Sequence, residues 1–143
     1  IDYYGLFDSD HIRSSIELYP DIYAYTSPTL LISKEILNGQ CTDRIIPIKA
    51  GIGTYRHVIN ENHIPLPPND YVVIPKEKCL CQIITLSRLD QMNLMMLKPL
   101  MDYAKENRYV FISDTTGYLL RVQIKNEQML FRFRIRAAVR KED

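Results

Sequence analysis

Residues 129–139 carry the pattern that most narrows what this chain can fold into. Phe131, Phe133 and Ile135 alternate there with Arg132, Arg134 and Arg136. A period of two fits a β-strand with one buried and one solvated face, and it fits no helix. A slip of one residue would turn three arginines into the core, so the pairing register of such a strand is strongly specified. Alternating charge of this kind marks a solvent face, and we expect no direct nucleic acid contact from it.

Weaker signals extend the pattern along the chain. Ile12, Ile16 and Leu18 alternate with Arg13, Ser15 and Glu17, so a strand is expected over 12–18. Thr26-Ser27-Pro28 offers an N-cap hydroxyl and a proline at the first helical position, and Asn38-Gly39 a left-handed stop, which together predict a helix over 28–38. The β-branched runs 44–50 and 54–59 flank Gly51-Ile52-Gly53 and are expected to form a hairpin. Pro65, Pro67 and Pro68 make 60–70 a connection. Strands are expected over 71–74 and 79–86, then a helix over 90–106 with Leu94, Leu97, Met101 and Ala104 on one stripe. Pro99 calls for a kink there or a start one turn later. Strands over 109–112, 118–124 and 129–139 complete the chain.

Strand, helix and two strands thus recur on both sides of the prolines, in halves of about 8–60 and 71–140. The expected fold class is α+β, a duplicated β-α-β-β arrangement with antiparallel sheet, helices on one face and a ligand groove between the halves. At 143 residues the chain makes one domain. Its 18 basic and 17 acidic side chains leave a net charge of +1, too little to draw it to nucleic acid or an anionic membrane. No apolar run approaches the ~20 residues that span a bilayer, and no basic-then-apolar leader is visible, so a soluble cytoplasmic protein is expected. The chain starts at Ile1, from which we expect a piece of something longer. Cys41, Cys79 and Cys81 are an odd set, read as reduced structural thiols, and no metal site is expected.

Several of these stretches together resemble a known family. Ile74-Pro75-Lys76, the strand 79–86, a helix ending near Tyr103, Phe111-Ile112-Ser113-Asp114 and the final Phe131-Arg132 strand are similar to the GyrI-like effector-binding domain. Within it they look most like the drug-binding half of BmrR-type regulators of the MerR family. Thr54-Tyr55-Arg56-His57 matches that type, as does the stretch from Phe7-Asp8 to Ile12-Arg13. The resemblance covers nearly the whole chain and implies a multidrug-sensing transcription regulator. Its effector would be a hydrophobic, often cationic small molecule. A preceding DNA-binding part of MerR or AraC type and homodimerisation of the full protein are implied as well, with no cofactor.

That family surrounds a buried glutamate with aromatic rings, on the strand after the Ser-Asp pair. Here the strand is Gly117-Tyr118-Leu119-Leu120, with no carboxylate at that place. Burying an unpaired cation costs several kcal/mol, whereas cation–π attraction returns roughly 0.5–2 kcal/mol. A countercharge is therefore expected from elsewhere, with Glu17 and Asp102 as candidates, or the ligand is neutral. By the same correspondence the ligand-binding residues are Tyr25, Tyr55, Asn93, Tyr118, Leu120 and Phe131, the last standing where the family has a tyrosine. Met92, Met95, Met96 and Met101 crowd the long helix and suit either core packing or an adaptable pocket. No enzyme is expected. His11, His57 and His63 fall in different elements, and no Gly-x-Ser-x-Gly elbow appears. The alternatives are a small-molecule hydrolase and a protein-interaction module like the gyrase inhibitor for which the fold is named.

Overall fold

The computed structural model describes residues 3–7, 13, 17, 19–39, 44–65, 71–74, 77–88 and 91–142. It is α+β, and the chain forms two compact units, one of Ile1–Thr29 with Lys49–Lys76 and the other of Leu30–Ile48 with Glu77–Asp143.

In the first unit, strand β1 (Tyr3–Leu6) lies between β4 (Val72–Ile74) and β3 (Lys49–Tyr55), antiparallel to both. The expected 44–50/54–59 hairpin is absent, because β3 runs straight through Gly51 and Gly53. Neither glycine takes a positive φ, and Gly53 pairs with Gly5 across the ladder. The glycines thus lie within a strand and make no turn. After β3 the chain turns into helix α2 (Arg56–Asn62), where a strand was expected. Its one buried residue, Ile59, packs with Ile22, Ile52 and Ile64, and Tyr19, Val58 and Tyr71 lean on that cluster. His63 ends the helix in the left-handed region at φ 50°, which lets the Ile64 N–H reach the Ile59 carbonyl at 3.1 Å. The connection expected over 60–70 therefore starts after Asn62, and 66–70 lie outside the described residues. Of the strand expected over 12–18, only Arg13 and Glu17 are described; both are helical and exposed.

Strand β2 (Ser27–Ile32) replaces most of the helix expected over 28–38, and only α1 (Lys34–Leu37) is helical. Thr29, Leu30, Leu31 and Ile32 are all buried. A segment buried on both faces shows no periodicity, so its apolar run is open to either reading, and tertiary burial overrides the capping signal. Thr26 Oγ1 donates backwards to the Ile22 carbonyl at 3.0 Å instead of capping the segment after it. Gly39 has no positive φ either; α1 closes with the Asn38 N–H on the Lys34 carbonyl.

The second unit is organised by β8 (Gln128–Lys141), which is antiparallel to β5 (Cys79–Leu86), β7 (Thr115–Lys125) and, near its end, β6 (Tyr109–Phe111). The expected alternation holds from Phe131 to Ala137: Phe133, Ile135 and Ala137 are buried, while Arg132 is exposed and Arg134 and Arg136 half-buried; beyond it Ala138 and Val139 are both buried. Their core takes in Leu30, Ile32, Ile84, Leu86, Leu94, Leu97, Leu100, Ala104 and Phe111. Where a helix was expected over 90–106, a 3-10 turn (Leu94–Leu97) leads into α3 (Lys98–Glu106), with Pro99 in the first turn, where no N–H is needed. Gln82, on the inward face of β5, donates to the Met96 carbonyl at 2.7 Å and accepts the Leu100 N–H at 3.2 Å. It thus satisfies orphan backbone groups where α3 begins.

The β7–β8 hairpin closes on Asn126 and Glu127, at φ 51° and 64°, a two-residue turn with both residues left-handed. Glutamate carries a steric cost there that glycine avoids. Glu127→Gly is expected to raise stability by roughly 0.5–1 kcal/mol in urea unfolding. Phe133→Ala should lower it by about 3–5 kcal/mol, because the ring is fully enclosed.

Candidate functional site

The six residues that the resemblance nominates divide between the units. Tyr25 and Tyr55 fall in the first. Tyr25 closes the short 3-10 turn Ile22–Ala24, is exposed, and lies 6.0 Å from Tyr19, ring to ring. Desolvation, then the hydrogen bond with Tyr25, holds the Tyr19 phenol above its ordinary pKa. Tyr55 is the last residue of β3, half-buried, with its ring stacked on His57 at 5.8 Å.

Asn93, Tyr118, Leu120 and Phe131 fall in the second unit. Asn93 stands just before the 3-10 turn, and its Oδ1 is buried with no hydrogen-bond partner among the described residues. Tyr118 pairs across the ladder with Arg134, whose guanidinium lies 5.3 Å from the ring centroid. Phe131 is three positions from Arg134 on the same strand, so it projects to the opposite face, where it packs against the core. The structure therefore does not bring Tyr118 and Phe131 together. Leu120 is exposed at a bulge, unpaired between Leu119 and Arg121.

The second unit instead contains a cleft of about 460 Å³ where α1, α3 and β6 meet. Leu37, Met101, Ala104, Tyr109 and Phe111 supply apolar surface, and Asp102, Lys105, Arg108 and Glu142 charge. Its walls are tied by the backbone. Asn38 Nδ2 donates to the Phe111 carbonyl at 3.1 Å, and its Oδ1 accepts the Phe111 N–H at 3.4 Å. Arg108, left-handed at φ 57°, turns the chain from α3 into β6, and its carbonyl accepts the Glu142 N–H at 2.7 Å. Asp102 pairs with Lys98 at 2.7 Å, both about half exposed. A second groove of about 370 Å³, between β5 and the start of α3, is lined by Cys79, Cys81, Pro99, Leu100 and Tyr103 among others.

Tyr109 is the most electrostatically marked side chain of the cleft. Lys78 Nζ and Lys141 Nζ stand 4.9 Å and 4.6 Å from its ring centroid. The hydrogen bond with Lys78 holds the phenol below its ordinary pKa and raises that of Lys78. A phenol with a depressed folded pKa adds stability above its unfolded value and loses it as pH falls through the folded one.

Two residues singled out in the sequence line this cleft, Asp102 as a candidate countercharge and Met101 as part of the methionine cluster. Asn38, Arg108 and Tyr109 are site residues that sequence reasoning missed. The one visible hint is Asn38, which reads as a helix stop. The other candidate countercharge, Glu17, is an exposed helical residue of the first unit. Cys79 is half-buried, with its thiol 3.3 Å from the Glu77 carbonyl, and Cys81 is exposed. Among the described residues no three His, Cys, Asp or Glu side chains gather as metal ligands, and no helix is long and apolar enough to cross a membrane. No family model and no curated protein matches the chain.

In a spectrophotometric titration one of the ten tyrosines should ionise ahead of the rest. Lys78→Met should return it to the main transition; an early phenol that persists in this variant would mean that Lys78 is not the cause.

Proposed function

We propose that the chain is an effector-binding module for a hydrophobic small molecule, of the kind that GyrI-like domains supply to bacterial transcription regulators. The observation that carries this reading is the cleft between α3 and β6. Its volume lies within the ~300–1,000 Å³ of small-molecule sites, and its lining combines apolar side chains with the charged groups of Asp102, Lys105, Arg108 and Glu142. The family's duplicated architecture is part of the proposal. Its support is the order in the second unit, where β5, the 3-10 turn with α3, and then β6, β7 and β8 follow one another.

The module's own part in the mechanism is binding. The ligand lays its apolar body against Leu37, Met101, Phe111 and the Tyr109 ring, and water leaves those surfaces. A cationic ligand finds Asp102 and Glu142 at the rim in place of the glutamate that the family keeps on β7. Taking Asp102 means displacing the Lys98 ammonium, an exposed helical pair worth only about 0.3–0.5 kcal/mol, so the exchange is easy. Occupancy reaches a parent regulator only through differential affinity for its alternative arrangements. The same reading makes the parent a cytoplasmic homodimer whose DNA-binding part lies outside this chain.

Paired cationic and neutral lipophilic compounds of similar size, screened by thermal shift, test the reading, since a ligand that binds only the folded state raises Tm. Tyr109→Ala should weaken binding more than tenfold. Asp102→Asn should selectively weaken cations, and Tyr118→Ala should leave both compounds unaffected. Loss of binding in Tyr118→Ala with retention in Tyr109→Ala would return the site to the residues that the resemblance nominates. No stabilisation by any compound would favour the protein-interaction alternative.

A further inference from the structure

The outward face of the β7–β8–β5 sheet collects positive charge to a degree that the chain's net charge of +1 hides. Arg132, Arg134 and Arg136 share that face of β8. The bulge at Leu120 adds a fourth. In an unbulged ladder Arg121 would oppose Phe131 on the core side; the extra residue places it opposite Arg132 and puts Val122 opposite Phe131. Two like charges directly opposite one another are destabilising in an antiparallel pair. No relief comes from within the sheet, because β5, β7 and β8 contain no Asp or Glu. The acids next to these strands in sequence are Glu77 before β5, Asp114 before β7, Glu127 in the hairpin turn and Glu142 after β8, and Glu77 sits 3.5 Å from Arg140. Arg121 rests on the neutral Gln123 Oε1 at 3.3 Å, Arg134 on the Tyr118 ring, and Arg136 reaches the Cys79 Sγ at 3.9 Å. The Arg134 Nε is buried and meets no acceptor among the described residues. Opposite Arg134 on the other side stands Ile83, 49% exposed, so the face pairs its cations with flat apolar surface.

We propose that this face binds single-stranded nucleic acid. Arginines two residues apart on β8 form a row with a period of about 6.8 Å for successive phosphates, and Tyr118, Ile83 and the guanidinium planes give bases a surface to stack on. The apolar residues of the hairpin favour this occupant over a membrane: Val122 and Ile124 project to the opposite face, so a bilayer engaging the arginines would gain no insertion from them. The proposal is independent of the cleft, which involves none of these residues.

Fluorescence anisotropy of a labelled oligothymidylate, measured over a range of salt concentrations with the full chain, tests it. Neutralising about four phosphates predicts a log–log salt slope of about −2.8 for a single strand. Arg121→Gln with Arg132→Gln, both at exposed positions, should make the slope shallower by about 1.4 and weaken low-salt affinity more than tenfold, while the melting temperature holds or rises as the opposed charges are removed. Lys34→Gln with Lys49→Gln, both exposed and outside this face and the cleft, serves as a charge-matched control that should leave binding unaffected. Equal loss in that control, a salt-independent affinity, or binding to phosphatidylserine vesicles or polyglutamate without binding to the oligonucleotide would each overturn the proposal.

Discussion

Three strands lean on β8, and the alternation of its side chains from Phe131 to Ala137 is the constraint on which the second unit depends. Pairing with β5, β7 and β6 satisfies its backbone over most of fourteen residues. The sheet's inner face then has to be covered, and Leu94, Leu97, Leu100 and Ala104, from the 3-10 turn and α3, do so. Gln82 shows how tightly the two layers are matched: one amide on the inner face of β5 bonds the backbone where α3 begins. Removing that amide would leave two backbone groups unpaired next to the core, a cost of about 1–3 kcal/mol each where they are shielded from water. The same alternation that supplies the core also pushes arginines onto the outer face. Core and basic surface are two consequences of one period.

Legibility of the elements depends on which of them are buried on one side only. Strands β5 and β8 and the stripe of α3 each have a solvated face, so their periods are visible, and Pro99 falls in the first turn of α3, later than the helix expected from residue 90. β2 has no solvated face over Thr29–Ile32, and with no period to weigh against it the Thr26-Ser27-Pro28 signal points to a helix. Gly51 and Gly53 look like a turn because a sequence does not distinguish a glycine that turns the chain from one that lies within a strand; Gly5, the partner of Gly53 on β1, lies nearly fifty residues away. α2 escapes for the reverse reason. Val58 and Ile59 favour strands by propensity, yet the helix needs only Ile59 in the core to hold its place.

Site residues are less legible than elements, for a physical reason. Tyr118 and Phe131 lie on neighbouring strands, but parity on β7 and β8 sends them to opposite faces. The cleft depends on contacts between distant segments: Asn38 with Phe111, and Arg108 with Glu142, whose partnership no local pattern encodes. Asp102 and Met101 stand out in the sequence because α3 itself is legible there, and the missing glutamate on β7 directs attention to the carboxylates of other elements.

The central functional claim is that a small hydrophobic ligand sits between α3 and β6. A heteronuclear NMR titration of the uniformly labelled chain with a lipophilic cation tests it most directly. The account predicts amide shifts concentrated at Asn38, Met101, Asp102, Lys105, Tyr109 and Phe111. Shifts concentrated at Tyr25, Tyr55, Tyr118 and Phe131, or no saturable shifts at millimolar ligand, would contradict it.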